Sequence, residues 1–271
     1  MKSLKKILKR HKELKLNLAR VAEIEQAMTQ HLGVSVRLKP AAGKAGQDQI
    51  YRAFNGREAF AMVRVENRNR ELPGGPAKWS FRQRLDLAQR LEAEWRAYEK
   101  LSAIALAPQP LWRNDVAMAC SLIVAERGAK RFIGVGQDFW MLAEMVFSGV
   151  QKMHDCDITH MDLNLGNVLI DEKAGRLSFI DFEFTAADWV SPAQQRICDY
   201  FILINEFCRK RRGGNVMLGE PEKMAELLLR YLREEDRKAA LGKLFPQFER
   251  LSREEGLREQ LRTVFPGLDK V

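Results

Sequence analysis

Residues His160–Phe184 have the sequence HMDLNLGNVLIDEKAGRLSFIDFEF, and this stretch decides the expected fold. Asp162 and Asn167 stand five residues apart in its polar first part, and Asp181 stands near its end. Between them lie two short apolar strands joined by a turn at Ala174–Gly175. Because a tight turn brings the outer ends of two paired strands together, we expect the three polar side chains to lie close in space.

These three side chains suit the transfer of a phosphoryl group to a hydroxyl group. The transition state of that reaction needs positioning and neutralisation of charge rather than a protein nucleophile. Mg²⁺ prefers carboxylate and amide oxygens, which Asp181 and Asn167 supply as candidate metal ligands. Asp162 is the candidate catalytic residue, because it is then available to accept a hydrogen bond from the acceptor hydroxyl and to orient or deprotonate it. His160 is expected to brace the backbone of this loop.

The spacing of these residues resembles the catalytic loop and the metal-binding loop of the protein-kinase-like fold. The phrase His160-Met-Asp-Leu-Asn164 is similar to the aminoglycoside and choline phosphotransferases and most similar to the bacterial lipopolysaccharide core sugar kinases. Asp181-Phe-Glu183 stands where the fold usually has Asp-Phe-Gly. The resemblance implies an α+β, bilobal fold with an N-terminal antiparallel sheet plus a helix and a mainly helical C-terminal lobe. It also implies ATP and Mg²⁺ as cofactors.

The hydrophobic periodicity of the rest of the chain predicts strands followed by helices. Strands are expected over residues 34–38, 49–54, 58–65, 110–112 and 117–125. Helices are expected over residues 3–30, 80–101, 139–154, 192–212, 220–231, 234–243 and 255–263. Asn55-Gly56 is a strong signal for a two-residue hairpin turn, and Ser80 is expected to cap the helix that follows it.

The resemblance also implies which residues hold the nucleotide. Arg64, on the third strand, stands where the fold usually has a lysine that contacts the α- and β-phosphates, and a guanidinium can grip phosphate oxygens bidentately. Its helix partner should be a glutamate, for which Glu94 matches best and Glu92 is the alternative. An exposed strand arginine without this role is the other interpretation of Arg64.

Further positions follow from the same resemblance. Gly43 and Gly46 belong to a turn whose N–H groups could reach phosphates, although a plain hairpin turn explains them equally well. The backbone near Ala125 and Glu126 lies where the fold places its adenine-binding linker. Asp199 resembles the helix aspartate that braces the catalytic loop, and a solvated helix acid is the competing interpretation.

The net charge of +9 is concentrated at the N-terminus. Residues 1–20 contain eight lysines and arginines and one acid, which leaves +2 for the rest of the chain. A nucleic-acid-binding domain would spread its basic residues over one face of the fold, so we expect no nucleic-acid partner. The basic helix over residues 1–30 is either a solvated helix packed on the lobe that follows, or an interfacial helix that binds anionic lipid at the inner membrane. The two lobes are expected to span residues 31–126 and 127–271.

The composition excludes several classes of protein. Hydrophobic residues make up 46% and charged residues 30% of the 271 residues, which excludes a disordered chain, a collagen-like chain and a disulfide mini-protein. No apolar run approaches the roughly 20 residues of a membrane-spanning helix, and the N-terminus lacks the apolar stretch of a secretory signal. The four cysteines form no C-x-x-C pair, so we expect reduced thiols in a cytoplasmic protein.

Three functions are consistent with the sequence. A kinase that phosphorylates a Kdo or heptose hydroxyl of the lipopolysaccharide core is favoured by the phrase His160–Asn164 and by the basic N-terminal helix. Arg209–Arg212 is a basic run that suits an anionic or lipid-linked sugar acceptor, although a solvated helix end also explains it. The second function is an aminoglycoside- or choline-type kinase, or a protein Ser/Thr kinase. The third is a kinase-shaped scaffold, which the complete set of candidate residues argues against.

Overall fold

The structure, a computed structural model, describes residues 18–41, 48–67 and 80–270. Residues 1–17 of the predicted basic helix, and the turn with Gly43 and Gly46, lie outside the described residues. Strands cover Arg37–Pro40 (β1), Asp48–Asn55 (β2), Glu58–Glu66 (β3), Arg82–Arg84 (β4), Pro110–Arg113 (β5), Ala117–Ser121 (β6), Glu126–Arg127 (β7), Val168–Asp171 (β8), Arg176–Phe179 (β9) and Phe184–Ala186 (β10). Helices cover Leu18–Leu32 (α1), Leu87–Ser102 (α2), Gly128–Arg131 (α3), Phe139–Asp155 (α4), Pro192–Phe207 (α5), Gly214–Gly219 (α6), Pro221–Tyr231 (α7) and Glu255–Val264 (α8). Within the described ranges, no helix has the length and apolar character needed to cross a bilayer.

The chain divides into two compact units. The first comprises Met1–Gly75, Asp86–Glu99 and Pro108–Ile123. The second comprises Pro76–Leu85, Lys100–Ala107 and Val124–Val271. The second unit therefore includes the short segment that precedes α2 as well as the residues that follow β6. The domain boundaries predicted after residues 30 and 126 stay predictions.

An antiparallel sheet with the strand order β1-β2-β3-β6-β5 is the centre of the first unit. Side chains alternate along β3, so that Val63 and Val65 are fully buried. They belong to one hydrophobic cluster with Ile24 and Met28 of α1. Arg64 stands between the two valines and therefore lies on the opposite face of the sheet, where it makes the contacts described below.

The strands predicted over residues 34–38, 49–54 and 58–65 are confirmed with two shifts. β1 begins three residues later than predicted, because the backbone N–H of Val36 donates to the hydroxyl of Thr29 in α1 at 3.1 Å. In the hairpin between β2 and β3, the two loop residues are Gly56 and Arg57, one position later than predicted. Gly56 has a φ of +58°, a left-handed conformation that glycine adopts without steric cost.

The helix predicted to begin at Ser80 begins instead at Leu87. Residues 82–84 form β4, which pairs antiparallel with β10. The helix is capped by Asp86 and not by Ser80. The Asp86 carboxylate accepts the backbone N–H of Gln89 at 2.9 Å, and the Gln89 side chain accepts the backbone N–H of Asp86 at 3.2 Å. Pairing with a strand that lies far along the chain thus decides the conformation of residues 80–84.

The second unit is mainly helical. The fully buried rings of Phe139 in α4 and Phe207 in α5 meet edge to face, with their centroids 5.2 Å apart. A small antiparallel sheet, β7-β8-β9, carries the predicted hairpin, whose turn contains Gly175 with a φ of +59°. The first unit contains a sheet and a helix, and the second unit is mainly helical. This arrangement confirms the predicted α+β fold class.

Two predicted helices of the second unit are corrected. The helix expected over residues 192–212 ends at Phe207. The segment 234–243 contains only the 3₁₀ turn Asp236–Lys238 and no α-helix. The backbone N–H of Leu241 donates to the carbonyl of Gly267 at 2.8 Å, so this segment is bound to the C-terminal residues instead of to its own preceding turn.

Candidate active site

Two asparagine side chains fold the loop that carries Asp162. Asn167 Nδ2 donates to the carbonyl of Asp162 at 3.0 Å, and Asn164 Nδ2 donates to a carboxylate oxygen of Asp162 at 3.2 Å. Asn164 Oδ1 accepts the backbone N–H of Gly166 at 2.8 Å and closes the turn. Since the nitrogen of the buried Asn167 amide is engaged, its oxygen is the atom that would act as a metal ligand.

Hydrogen bonds join this loop to the segment that carries Asp181. The backbone N–H of Ile180 donates to the carbonyl of Asn167 at 3.0 Å, and Nε2 of His160 lies 2.9 Å from the carbonyl oxygen of Ile180. The His160 ring also packs on Phe182, with the ring centroids 4.4 Å apart. The structure therefore places the loop directly beside Asp181, and the prediction that His160 braces the backbone is confirmed.

Two of the four described non-glycine residues with a positive φ lie at the candidate carboxylates. Met161, which precedes Asp162, has a φ of +60°, and Asp181 has a φ of +75°. Left-handed conformations of residues other than glycine cost roughly 1–3 kcal/mol each. Local hydrogen bonds offset this cost, because the Met161 N–H donates to Asp199 at 2.8 Å and the Asp181 carbonyl accepts the Glu183 N–H at 3.1 Å.

Asp199 holds the loop from α5. Its side chain is completely buried and accepts the backbone N–H groups of His160 at 2.9 Å and Met161 at 2.8 Å. A solvated helix acid, the competing interpretation, is therefore wrong. The predicted bracing role is confirmed, since the carboxylate fixes the two residues that immediately precede Asp162.

His154 is a further member of this cluster. Its Nε2 lies 3.0 Å from a carboxylate oxygen of Asp199, and its ring meets the edge of Tyr200. His154 is buried at the end of α4, so it links that helix to the same carboxylate that holds the loop. The two residues stand 45 positions apart, and no local pattern in the sequence connects them.

Arg82 is an unpredicted partner of the candidate catalytic residue. Its Nη1 contacts Oδ1 of Asp162 and lies 3.1 Å from the carbonyl of Met161. Its guanidinium lies over the ring of Phe184, 4.7 Å from the centroid. The neighbouring Arg84 lies 3.9 Å from Glu183. Sequence reasoning misses these contacts because it places residues 80–84 in a helix, whereas pairing of β4 with β10 carries both arginines to the loop.

In the first unit, Arg64 is a half-buried residue that pairs with the buried carboxylates of Glu94 and Asp48. Its Nε lies 3.3 Å from Oε2 of Glu94, and its side chain is 14% exposed, so the interpretation as an exposed strand arginine is wrong. Glu92, the alternative partner, instead pairs with Arg113 at the surface. Two positions apart on α2, the two glutamates point in different directions, and only Glu94 reaches the strand.

The ion pair extends into a buried polar network. Asp48 lies 3.4 Å from Nη1 of Arg64 and accepts hydrogen bonds from Arg90 at 3.0 and 3.2 Å. The Tyr98 hydroxyl donates to Glu94 at 2.5 Å. Burial raises the pKa of Tyr98 well above its usual range, and the charge of Glu94 raises it further, so the phenol remains a neutral donor. Asp48 and Glu94, which both belong to the first unit, therefore hold the guanidinium of Arg64 in place.

Replacement of Arg64 tests this network. Arg64→Ala is expected to lower the free energy of unfolding by about 3–5 kcal/mol, because it removes one partner of buried ion pairs. Arg64→Lys should cost less, since the ammonium keeps the charge, although it cannot reach Asp48 and Glu94 with the planar geometry of a guanidinium. Denaturant unfolding of the purified proteins measures both changes. Arg113→Ala, which breaks the surface pair with Glu92, serves as a control and should cost less than about 1 kcal/mol. Equal losses of stability in the Lys and Ala variants would contradict the conclusion that the charge of Arg64 stabilises the network.

Glu126, the candidate linker residue, lies in β7 and pairs in the sheet with Ile170 of β8. Its side chain is 39% exposed and lies 2.5 Å from Lys130, one turn further along the chain. The backbone of Glu126 is thus held in a fixed position by the sheet, whereas its carboxylate faces a surface partner.

The oxygen donors of Asn167 and Asp181 fit a magnesium ion that shares its ligands with a nucleotide. They are too few for a metal that is held by protein side chains alone. Among residues 18–41, 48–67 and 80–270, no group of three His, Cys, Asp or Glu side chains could hold a metal. Mg²⁺ in nucleotide sites needs only one or two protein oxygens, because phosphates and water supply the remainder. Asn167 and Asp181 are two hard oxygen donors of this kind.

No protein-family model and no curated protein matches this sequence. Solved structures do match. The ternary complex of APH(2")-IIa with streptomycin and ATP aligns with a TM-score of 0.51 and 14% identity, over 92% of this chain and 95% of that one. The kinase domain of PknI from Mycobacterium tuberculosis aligns with a TM-score of 0.42 and 12% identity, over 64% of this chain and 72% of that one. The first alignment spans nearly all of both chains and confirms the predicted protein-kinase-like fold.

Proposed function

We propose that the protein is an ATP-dependent kinase that transfers the γ-phosphate to a hydroxyl of a lipopolysaccharide core sugar, Kdo or heptose. The observation that carries the proposal is a pair of hydrogen bonds: the Asn167 side chain donates to the carbonyl of Asp162, and the backbone N–H of Ile180, the residue before Asp181, donates to the carbonyl of Asn167. A loop built in this way presents one carboxylate for an alcohol and two oxygen donors for a metal.

Each candidate residue has a distinct part in this reaction. Asp162 accepts the hydrogen bond of the acceptor hydroxyl and orients it. Asn167 and Asp181 hold Mg²⁺, which when bound neutralises the charge that develops on the phosphate oxygens. Arg64, held by Glu94, contacts the α- and β-phosphates.

The remaining nucleotide contacts are proposed from the resemblance. The backbone of Glu126 binds the adenine edge. Gly43 and Gly46, which lie outside the described residues, cover the phosphates with their N–H groups. Cytoplasmic residence, and attachment to the inner membrane through residues 1–30, belong to the same proposal, since a lipid-linked sugar acceptor would be found there.

The charge around Asp162 supports an anionic acceptor. Arg82 contacts Asp162 directly, and Arg84 stands on the same strand beside Glu183. A cationic acceptor would meet two guanidinium groups at this position, whereas a sugar acid or a sugar phosphate would be attracted to them. An aminoglycoside- or choline-type kinase is the second candidate, favoured by the whole-chain alignment with APH(2")-IIa, whose structure holds streptomycin and ATP.

Nucleotide binding is tested by thermal unfolding. ATP with Mg²⁺ is expected to raise the melting temperature, because a ligand at a hundred times its Kd stabilises the folded state by about 2.7 kcal/mol. Asp181→Ala should abolish the rise, since it removes a metal ligand. Asp188→Ala removes an exposed acid seven residues later and should leave the rise intact. Wild-type protein that does not respond to ATP would support the scaffold interpretation.

The acceptor is identified by a phosphate-transfer screen with labelled ATP. Core oligosaccharide fragments that contain Kdo or heptose are expected to become labelled. Aminoglycosides, choline and generic protein acceptors should not. Labelling of an aminoglycoside or choline would replace the first candidate by the second, and labelling of protein would identify a Ser/Thr kinase.

A further inference from the structure

A crowded group of arginines lies where α5 ends. Arg209 Nη2 lies 2.8 Å from Oε1 of Glu206, and Arg212 Nη1 contacts the other carboxylate oxygen of the same residue. Only 30% of the Arg209 side chain and 13% of the Arg212 side chain are exposed. Lys210 and Arg211 of this basic run are exposed, as a solvated helix end requires. Arg209 and Arg212 do not fit that interpretation, because both guanidinium groups are turned back onto the protein.

Arg250 brings a third positive charge to the same place. Its backbone N–H donates to the side-chain oxygen of Asn205 at 2.9 Å, next to Glu206 in α5. Burial lowers the pKa values of Arg209 and Arg212, and the charge of Arg250 lowers both further. We call these three arginines the guanidinium cluster.

The guanidinium cluster has more positive charge and more donors than the protein neutralises. Glu206 pairs with Arg209 and Arg212, and Glu254 is a second carboxylate nearby, since its charge and that of Arg250 both act on Cys208; two carboxylates therefore face three guanidinium groups. The nearby Glu249 is engaged with Arg253 at 2.7 Å. Within the described part of the chain, the Nε atoms of Arg209 and Arg212 are buried without a hydrogen-bond partner. Buried charged donors without acceptors are costly, and an oxyanion would supply the missing negative charge.

The backbone beside Arg212 is closely packed. Gly213 has a φ of +86°, and a Cβ at this position would lie 2.2 Å from the ring of Phe139. The carbonyl of Arg211 accepts the backbone N–H of Gly134 at 3.3 Å. The backbone is thus fixed against the start of α4, and the guanidinium groups of Arg209 and Arg212, already held by Glu206, lose little freedom when they bind an anion.

We propose that the guanidinium cluster is a binding site for a phosphate-type oxyanion, carried either by a soluble phosphate monoester or by a lipid headgroup. Planar guanidinium groups match phosphate oxygens bidentately, and a phosphate anion offsets the excess positive charge of the cluster. This inference does not depend on the proposed kinase reaction, because the cluster shares no residue with the candidate active site.

Thermal unfolding of the full chain with inorganic phosphate tests the proposal, with sodium chloride at matched ionic strength as the reference. A saturable rise in melting temperature is expected for the wild type. The apparent Kd should increase roughly tenfold or more in the double variant Arg209→Gln/Arg212→Gln and in Arg250→Gln. Arg253→Gln removes an exposed charge from the same region and should respond like the wild type.

Two further measurements separate binding from structural support and from the nucleotide site. Without phosphate, Arg250→Gln should melt no lower than the wild type, since it relieves repulsion between like charges; a merely structural arginine would lower the melting temperature. Asp181→Asn should retain the phosphate response. A response that is lost in Asp181→Asn and kept in the cluster variants would assign phosphate to the active site and overturn the proposal. So would a wild type without a saturable response.

The source of the phosphate group is decided by two probes. Glucose 6-phosphate represents a soluble monoester, and phosphatidylcholine vesicles with and without phosphatidic acid represent a lipid surface. Cluster-dependent binding of either probe supports the proposal and identifies its source. Binding of neither, or equal binding by the wild type and the double variant, would overturn it.

Discussion

Asp162→Asn is expected to reduce phosphoryl transfer by about 10²–10⁴-fold, the range typical of a lost general base. Asparagine keeps the size of the side chain and one oxygen, but it cannot accept a proton from the acceptor hydroxyl. Nucleotide binding should remain largely intact, because the proposed metal ligands are Asn167 and Asp181. Initial rates of ATP-dependent labelling, together with thermal unfolding in ATP and Mg²⁺, measure the two effects separately.

Arg82→Gln is the matched control for this variant. Asp162→Asn also removes the ion pair with Arg82, so the loss of that contact contributes to its effect and has to be measured separately. Arg82→Gln breaks the same pair and leaves the carboxylate in place, and it should reduce transfer less than Asp162→Asn does. Two equal losses, or an Asp162→Asn protein that no longer binds ATP, would contradict the role assigned to Asp162.

Asp199→Asn is expected to have the largest effect on stability. The carboxylate accepts hydrogen bonds from the His160 and Met161 N–H groups and contacts His154, all in a fully buried position. In the asparagine variant, an NH₂ group replaces one carboxylate oxygen and faces an N–H donor, so that hydrogen bond is lost. Because removal of one partner from a buried charged cluster costs about 3–5 kcal/mol, the melting temperature should fall by roughly 10 °C.

Calorimetry or denaturant unfolding of Asp199→Asn provides the measurement. Asp155→Asn is the control, since its carboxylate pairs with Arg233 at the surface and is 60% exposed. Its loss should be less than about 1 kcal/mol. An Asp199→Asn protein that melts within a degree or two of the wild type would mean that the loop does not depend on this brace.

Local sequence was sufficient for the hairpin and its flanking loop. The polar phrase around Asp162, the apolar strands and the turn at Gly175 are consecutive in the chain, and each has a pattern that follows from backbone geometry. The same holds for Arg64, whose face of the sheet follows from alternation along β3. The choice between Glu94 and Glu92 required the structure, because both stand on the same helix and only its rotation decides which one faces Arg64.

What the amino-acid order alone determined is therefore the protein-kinase-like hairpin and the identity of its three candidate side chains. What only the tertiary structure decided is their environment: Arg82 reaches Asp162 across 80 positions, His154 reaches Asp199 across 45, and Arg90 reaches Asp48 across 42. Turns and periodicities are set by the backbone over a few residues, so the sequence displays them directly. A pair of charged residues that lie far apart in the chain produces no periodic pattern in the sequence. The pair forms only when packing of strands and helices brings the two side chains together.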